Sequence, residues 1–302
     1  MRRYRNAFLF LVLSVFWGAS FMAIRVGLAD IPPVLFAAIR YDIAAVIMLA
    51  YAAAVTDYWR PRTRTDWLSV VISGVLIIAL YNAFLFIGQQ EVTSGIAAIL
   101  IALNPILATG FSRALLPDER LTVVGIAGLL LGLVGVGFVA NPTASGVVGA
   151  ELVYPGFVLL AAVCVALGSV LLQRVDSDLS SEGMVAWSTG LGALLLHAMS
   201  AGLPTESVSA VSVTVEAVAA VIYLAVFASA VGYFIYFDLL SELGAIEINL
   251  VSYTVPVFAA LSGWIVLAET LTVSAVVGFL LIFAGFVVVK RKTIRAEFRA
   301  IG

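Results

Sequence analysis

The stretch SGIAAILIALNPILA at residues 94–108, followed by LLPDERLT at residues 115–122, decides the fold because the chain contains a version of it twice. The second copy reads AIEINLVSYTVPVFA at residues 245–259 and LAETLT at residues 267–272. The residues that match between the copies, 150 or 151 positions apart, are Pro105 and Pro256, Glu119 and Glu269, Gly128 and Gly278, and Gly135 and Gly285. Each copy predicts a long apolar helix with a proline at mid-length, an acidic turn and a second apolar helix. A repeat of this length organises the whole chain, because each copy predicts the same supersecondary unit.

The composition of the chain places these helices in a lipid bilayer. Hydrophobic residues make up 63% and charged residues 11% of the 302 residues, and the mean hydropathy is +1.14. Soluble domains contain about 45–50% apolar and about 25% charged residues, so a water-soluble core has no room for this much apolar surface. The single cysteine, Cys164, excludes an intramolecular disulfide and a thiolate metal cluster. We expect no cofactor, no metal and no nucleic-acid partner.

Ten apolar runs are long enough to cross the membrane, since about 20 helical residues span a hydrocarbon core about 30 Å thick. The predicted spans are 8–28, 33–56, 67–87, 94–115, 121–140, 151–172, 183–201, 215–237, 244–267 and 271–289. The first run follows MRRYR and is too long for a signal peptide, so it is predicted to be an uncleaved span. The predicted fold class is therefore an all-α membrane protein with ten transmembrane helices.

Basic residues predict how the spans are oriented. Of the 16 Lys and Arg residues, all but Arg25 and Arg40 fall on one side when ten spans follow a cytoplasmic N-terminus. Lys and Arg concentrate in cytoplasmic loops, so we expect both termini in the cytoplasm and the protein in the plasma membrane. Five spans in residues 1–140 and five in residues 151–302, joined by a linker at 141–150, predict two repeats of inverted orientation. Inverted repeats are typical of secondary transporters, whose two similar halves expose one cavity to alternate sides.

Short motifs in the two halves resemble a known transporter family. Residues 17–21 read Trp-Gly-Ala-Ser-Phe, Arg40 lies inside the second span, and each half has a mid-helix proline followed by an acidic-Leu-Thr turn. This combination resembles the EamA family, a branch of the drug/metabolite transporter (DMT) superfamily. The resemblance implies a ten-helix carrier with cytoplasmic termini, a cavity between its halves, and export of amino acids or other small metabolites. The superfamily also contains importers, nucleotide-sugar carriers and drug carriers.

Polar residues and prolines inside the spans are candidate substrate-binding residues, because polar groups at bilayer depth require a partner or a function. Pro105 and Pro256 each remove a helical hydrogen bond and free a carbonyl group, so the resulting bends either line the site or serve packing. Asn104 can bind a carboxylate or an amine of the substrate, or a carbonyl group of a neighbouring helix. Arg40 can hold an anionic group of the substrate or an acidic side chain.

Two carboxylates are candidates for proton coupling. Asp42 lies two positions after Arg40, where the two side chains face different directions on a helix, and Arg25 on the neighbouring span is an alternative partner. A structural ion pair is the other interpretation of Asp42. Glu247, near the start of the ninth span, is the second candidate, and its position also fits an interfacial carboxylate.

Aromatic residues within the spans complete the predicted site. Tyr and Trp carry a polar group that needs a partner, which favours a position facing a cavity, with helix packing as the alternative. The residues predicted to bind substrate together with Arg40, Asn104 and the two prolines are Trp17, Ser20, Tyr81, Asn82, Trp187, Tyr233 and Tyr253. The glycines of the fifth span predict close helix packing, either within the bundle or between the protomers of a homodimer.

These features predict a secondary transporter that exports small polar metabolites, such as amino acids, by alternating access. An uptake carrier, a multidrug or cation exporter and a channel are the alternatives. An enzyme is not expected, because the single histidine, His197, has no nucleophile or metal ligand at a suitable spacing. No ATP-binding motif accompanies the spans, so a solute or proton gradient is expected to drive the flux. The expected partners are a small-molecule solute and the lipid bilayer.

Overall fold

The protein folds into a bundle of helices, each of which overlaps one of the predicted spans. The computed structural model describes residues 2–115, 123–140, 152–243, 248 and 250–301, and these residues form helices and no strand. The helices are α1 Arg2–Gly27, α2 Pro33–Val55, α3 Arg64–Gly88, α4 Ser94–Leu115, α5 Val123–Ala140, α6 Val153–Leu172, α7 Ser181–Gly202, α8 with its three segments Val215–Ile222, Tyr223–Val231 and Gly232–Leu243, α9 Val251–Leu267 and α10 Val273–Ile301.

Seven of these helices, α1–α4 and α6–α8, are long and apolar enough to cross a membrane, counted over the described residues. The apolar parts of α5, α9 and α10 are shorter and comprise Ile126–Val139, Val251–Leu267 and Val273–Val288. The all-helical class is thus confirmed, and a total of ten crossings stays a prediction. The turn that carries Glu119, the linker 141–150 and the coupling candidate Glu247 lie outside the described residues.

Two helices contain π-helical segments at equivalent positions of the sequence repeat. The segment in α3 is Ser73–Leu80, and the segment in α8 is Tyr223–Val231. Their first residues lie 150 positions apart, the same spacing as in the sequence repeat. A π-helical segment shifts the backbone hydrogen bonds to a longer spacing, and such segments are frequent at functional sites. The similarity of the two halves therefore extends to the backbone in the middle of both helices.

The two matched prolines have different consequences for their helices. Helix α4 consists of Ser94–Ile101 and Asn104–Leu115, so it is interrupted directly before Pro105. Proline cannot donate a backbone hydrogen bond, and its ring crowds the carbonyl group four residues earlier, where the first segment of α4 ends. Pro256 lies near the start of α9, which continues without interruption to Leu267. The carbonyl group that Pro256 crowds is in the first turn of α9, so few helical bonds precede the proline and the helix is not divided.

Helices α5 and α10 pack against each other through glycines. A Cβ atom on Gly135 would lie 2.7 Å from the carbonyl oxygen of Gly278, and one on Gly278 would lie 2.5 Å from that of Gly135. A Cβ atom on Gly285 would lie 2.7 Å from the carbonyl oxygen of Gly128. Small residues allow helix backbones in a membrane to approach this closely. Gly128 and Gly135 of the fifth span therefore pack within the chain, against the last helix of the second half, whereas Gly137 has no neighbour within 4 Å.

At one end of the bundle, a buried carboxylate joins the loop before α3 to the loop after α6. Asp66 accepts hydrogen bonds from Tyr58 Oη at 2.7 Å, from Ser177 Oγ at 2.8 Å and from two backbone N–H groups of the loop that precedes α3. The backbone N–H of Ser180 also donates to the carbonyl oxygen of Tyr58. We call this end, which holds loops 56–63 and 173–180, the Asp66 end.

At the opposite end, the loop between α7 and α8 is bonded to the start of α2. The Glu206 carboxylate accepts hydrogen bonds from two backbone N–H groups in the first turn of α2, at 3.0 and 2.9 Å. Asp30, between α1 and α2, accepts a hydrogen bond from Thr214 Oγ1 at 2.6 Å. The turn that carries Glu269 also lies here, beside Arg25 of α1, and we call this end the Glu269 end.

Candidate functional site

A cavity of about 360 Å³ lies between helices of both halves. Its walls come from α1, α2, α3 and α4 of the first half and from α6, α8 and α9 of the second. The residues predicted to bind substrate that line it are Trp17, Ser20, Arg40, Tyr81, Asn82, Asn104 and Tyr233. A cavity of this volume accommodates a small organic molecule. The structure thus brings together residues from five helices that are far apart in the sequence.

Arg40 supplies the positive charge of this cavity. Its side chain is only 7% exposed, and Nη2 donates hydrogen bonds to Tyr41 Oη at 3.2 Å and to Ser229 Oγ at 3.1 Å. The guanidinium also lies over the Tyr41 and Phe86 rings, 4.5 and 5.7 Å from their centroids. Nε has no hydrogen-bond partner among the described residues, and Arg40 is the only charged residue in the described part of the lining. A buried guanidinium with neutral partners retains the capacity to bind an anionic group.

Trp17 and the π-helical segment of α8 form the aromatic side of the cavity. Trp17 Nε1 donates a hydrogen bond to the carbonyl oxygen of Ala228, within the π-helical segment, at 3.1 Å. The indole ring also contacts Tyr233 and Tyr236, with centroid separations of 6.2 and 5.6 Å. A Cβ atom on Gly232 would lie 2.8 Å from Trp17 Nε1, so the indole has room here because Gly232 has no side chain. The same π-helical segment carries the serine that bonds Arg40, and it therefore positions both residues.

Three polar residues of the lining differ in whether their side chains form hydrogen bonds within their own helices. Ser20 Oγ donates to the carbonyl oxygen of Trp17 at 2.6 Å, within α1. Asn82 Nδ2 donates at 2.7 Å to the carbonyl oxygen of Ile78 in the π-helical segment of α3. Asn104 Oδ1, directly after the interruption of α4, is buried and accepts no hydrogen bond from any residue that the structure describes. Asn104 thus lines the cavity and holds a buried acceptor that no described residue occupies.

Four other residues predicted to bind substrate lie outside the lining. Trp187 is near the Asp66 end, where its Nε1 donates to the carbonyl oxygen of Trp59 at 3.0 Å. The Tyr253 ring packs against Phe283 and Phe286 of α10, at centroid separations of 5.3 and 4.6 Å. The remaining two are Pro105 and Pro256, whose neighbours Asn104 and Val255 reach the cavity. The prolines thus lie next to the cavity wall, and the two aromatic residues pack elsewhere in the bundle.

The coupling candidate Asp42 is on the surface of the bundle. Its carboxylate lies 2.8 Å from Nε2 of His197 on α7, and the two side chains are 50% and 41% exposed. The predicted pairing of Asp42 with Arg25 is wrong, because Arg25 donates instead to the carbonyl oxygen of Gln89 at 2.8 Å. The rotation of α2 about its own axis turns Asp42 towards α7 while Arg40 faces the cavity.

The cavity also contains polar residues that the sequence analysis does not single out. These are Tyr41, Ser169, Tyr236 and Ser252 in the lining, and Ser229 beside Arg40. Tyr236 lies three positions after Tyr233, and side chains at that spacing share a helix face. Ser169 lies 149 positions after Ser20, close to the spacing of the sequence repeat, and that spacing is a signal for it. Nothing in the sequence distinguishes Ser229 from other serines of the spans.

Comparison with protein families matches both halves of the chain to one family model. The model of the EamA-like transporter family matches twice, over residues 5–141 and over residues 154–291. The two matches cover most of the chain and leave only a short segment between them. Duplication of one family unit agrees with the repeat read from the sequence.

Curated relatives of the chain are named as transporters or by family alone. Uncharacterized transporter YvbV of Bacillus subtilis (strain 168) is 29% identical over 301 residues, which cover 99% of this chain and 95% of that protein. An uncharacterized transporter of Archaeoglobus fulgidus is 28% identical, over 93% of this chain and 98% of that protein. A WAT1-related chloroplastic protein of Arabidopsis thaliana is 25% identical, over 87% of this chain and 64% of that protein. One solved crystal structure superposes with a TM-score of 0.63 at 22% identity, over 97% of this chain and 99% of the other, and shares the fold.

Proposed function

This chain is a membrane transporter that belongs to the EamA-like transporter family, and we propose that it is a secondary transporter exporting small polar metabolites, such as amino acids, by alternating access. The observation that carries the proposal is the buried charge of Arg40, which has no acidic partner among the described residues, in a cavity that both halves line. A carboxylate of the solute would receive charge-assisted hydrogen bonds from this guanidinium.

The rest of the lining suits an amino acid. Asn104 Oδ1 is a buried acceptor for the N–H groups of a solute ammonium. The faces of Trp17, Tyr81 and Tyr233 offer apolar area for the body of the solute, and aromatic faces also attract cations. A solute with one carboxylate and one ammonium group would therefore find a partner for each charge. A purely cationic drug would instead meet the repulsion of Arg40, which argues against the multidrug and cation alternatives.

The repeat supports alternating access as the transport mechanism. Both halves contribute helices to the cavity, and α3 and α8 carry π-helical segments at matched positions. Two similar halves can exchange conformations, which exposes a central site to each side in turn. We place the Asp66 end and both termini in the cytoplasm, because the basic residues concentrate there. The Glu269 end then faces outward, and export is release of the solute at that end; net uptake would follow from a reversed gradient.

A ligand panel on detergent-purified protein tests the proposal. Each amino acid is paired with its decarboxylated amine, so that the two ligands differ mainly in the carboxylate. A ligand that binds only the native state raises the melting temperature. At a concentration 100 times its Kd, it adds about 2.7 kcal/mol to the free energy of unfolding. We expect carboxylate ligands to raise the melting temperature and the matched amines to leave it unchanged. Stabilisation by the amines alone would overturn the assignment of Arg40.

Counterflow in proteoliposomes separates a carrier from a channel. A carrier exchanges external labelled solute for internal unlabelled solute, because each turnover binds one molecule at the central site. We expect saturable uptake that is accelerated by unlabelled solute inside the vesicle. Flux that rises linearly with concentration and shows no acceleration would identify a channel and refute alternating access.

A further inference from the structure

Glu269, in the turn between α9 and α10, connects the second half to two helices of the first half. Its Oε2 accepts a hydrogen bond from the backbone N–H of Ser94, the first residue of α4, at 2.9 Å. Its Oε1 lies 3.6 Å from Nε of Arg25, in the last turn of α1. The Glu269 side chain is only 11% exposed. A carboxylate at a helix N-terminus is stabilised by the helix dipole and by the free N–H groups of the first turn.

Arg25 extends this connection to the end of α3. Its Nη1 donates to the carbonyl oxygens of Gln89 at 2.8 Å and Gln90 at 2.5 Å, directly after α3 ends. Gln89 Nε2 in turn donates to the carbonyl oxygen of Phe21 in α1 at 3.0 Å. A guanidinium at a helix C-terminus complements the negative end of the helix dipole. The pair of Glu269 and Arg25 therefore joins α1, α3, α4 and the α9–α10 turn.

The backbone of the α9–α10 turn is shaped for this contact. Ala268 adopts a left-handed conformation, with φ of 54°, and the N–H of Glu269 donates to the carbonyl oxygen of Gly263 at 3.1 Å. Left-handed backbone costs a residue with a Cβ atom about 1–2 kcal/mol, so the surrounding contacts must stabilise it. A Cβ atom on Gly263 would collide with Glu269 Oε2 and would lie 3.3 Å from Ser94 Cβ. The turn thus aims the carboxylate at α4 through a gap that a glycine leaves open.

Two of the helices that make these contacts also line the cavity. Ile24 of α1 and Ile101 of α4, one position and about two turns from the polar contacts, are part of the lining. At the level of the cavity itself, between the lining residues Trp17 and Ser20, a Cβ atom on Gly18 would lie 2.9 Å from the carbonyl oxygen of Val255 in α9, so α1 and α9 are closely packed there. Separating Glu269 from Arg25 and Ser94 would remove polar contacts that hold α1, α3 and α4 together between the cavity and this end.

We propose that Glu269, Arg25 and the N-terminus of α4 form a latch that keeps the Glu269 end of the cavity closed, and that opens when the solute site is exposed to that side. This inference rests on the alternating-access transport proposed above, and it assigns a gating role to a residue that contacts no part of the solute site. The latch is a set of polar contacts among three helices and a turn, so removing its central carboxylate should shift the population towards the open state.

Cysteine accessibility tests the latch without any solute. The single native cysteine is replaced by Cys164→Ser, and Ile101→Cys places a thiol in the cavity lining. A membrane-impermeant maleimide is then applied to proteoliposomes. Val208→Cys, at a residue 77% exposed in the loop at the Glu269 end, identifies in a parallel sample the fraction of protein with that end accessible. We expect slow labelling of Ile101→Cys from this side, and at least tenfold faster labelling after Glu269→Ala.

Two further variants test whether the labelling rate depends on the contacts of Glu269 in particular. Glu269→Gln retains an oxygen that can accept from Ser94 N–H but loses the charge that attracts Arg25, so we expect an intermediate labelling rate. Glu206→Ala is the matched control, because it also removes a carboxylate from a helix N-terminus at the same end, without touching the latch. We expect Glu206→Ala to leave labelling of Ile101→Cys at the parent rate.

Thermal unfolding establishes that each variant is folded before labelling. Folded Glu269→Ala and Glu269→Gln proteins that label at the parent rate would show that Glu269 only caps α4, and would overturn the latch. Equal acceleration by Glu206→Ala would also overturn it, since any lost cap would then loosen this end. Because labelling requires no solute, these outcomes are independent of the ligand panel that tests the proposed function.

Discussion

Replacing Arg40 gives the most direct measurement of what the cavity binds. Arg40→Met keeps the length and apolar stem of the side chain and removes the charge. A hydrogen bond to a charged group contributes about 1.5–3 kcal/mol, so losing two such bonds to a solute carboxylate costs at least about 3 kcal/mol. Since about 1.4 kcal/mol corresponds to a tenfold change in Kd, affinity should fall roughly 100-fold or more. Arg40→Lys retains the charge without the bidentate geometry, so its affinity should lie between those of the parent protein and Arg40→Met.

The same substitution should have little effect on stability. The partners of Arg40 in the structure are the Tyr41 and Ser229 hydroxyl groups, and a hydrogen bond from a charged donor contributes about 1.5–3 kcal/mol. No described residue supplies an acidic partner for this buried charge, so removing the charge also removes its desolvation penalty and offsets the loss. A large fall in affinity with an unchanged melting temperature would therefore locate the effect in binding and not in folding.

Equilibrium binding of a radiolabelled amino acid from the ligand panel is the assay. Arg5→Met is the matched control, because Arg5 is a half-exposed arginine that pairs with Asp238 away from the cavity. The control should bind with the parent affinity. If Arg40→Met binds the carboxylate solute as tightly as the parent protein, the guanidinium is not its partner and the reasoning from the unpaired charge fails.

Three further predictions follow from packing and hydrogen bonding. Gly278→Ala would place a Cβ atom 2.5 Å from the Gly135 carbonyl oxygen, so we expect overpacking of about 1–3 kcal/mol and a lower melting temperature, whereas Gly137→Ala, with nothing within 4 Å, should not lower it. Asp66→Asn replaces a buried acceptor of several hydrogen bonds and should lower the free energy of unfolding by about 3 kcal/mol. Asp57→Asn, at an exposed position of the preceding loop, is the control and should leave that free energy unchanged. Equal effects of the two variants in denaturant unfolding would contradict this prediction. Asp42→Asn should retain solute counterflow, because Asp42 pairs with His197 outside the lining. If Asp42 carries a coupled proton, this variant should lose only the response of the flux to a pH gradient. Loss of counterflow would place Asp42 in the solute path.

The candidate site was partly predictable because polar side chains inside apolar helices are few. Trp17 and Trp187 show which part of the site could not be predicted in this way. Both lie within predicted spans and both need a partner for an indole N–H. The indole of Trp17 finds the carbonyl oxygen of Ala228 beside the cavity, and that of Trp187 finds the carbonyl oxygen of Trp59 in a loop. The sequence predicts the need for an acceptor but not which one is near, because that depends on how each helix is rotated and packed.

The sequence by itself determined the helices and their repeat. The length of an apolar run, the prolines and the polar turns are local properties, so the bounds of α2, α6 and α7 could be read within a few residues. The matched spacing of about 150 residues also predicted two related halves, and the double match to one family model agrees with it.

Only the tertiary structure decided which groups meet. Arg25 contacts Gln89 and Glu269, and Asp42 contacts His197, although the sequence offered Arg25 as a partner for Asp42. The π-helical segments of α3 and α8 likewise have no signal in the apolar pattern, which is continuous through both. Contacts between helices depend on small rotations and shifts that the packing of the whole bundle sets, and a periodic apolar sequence is compatible with many of them.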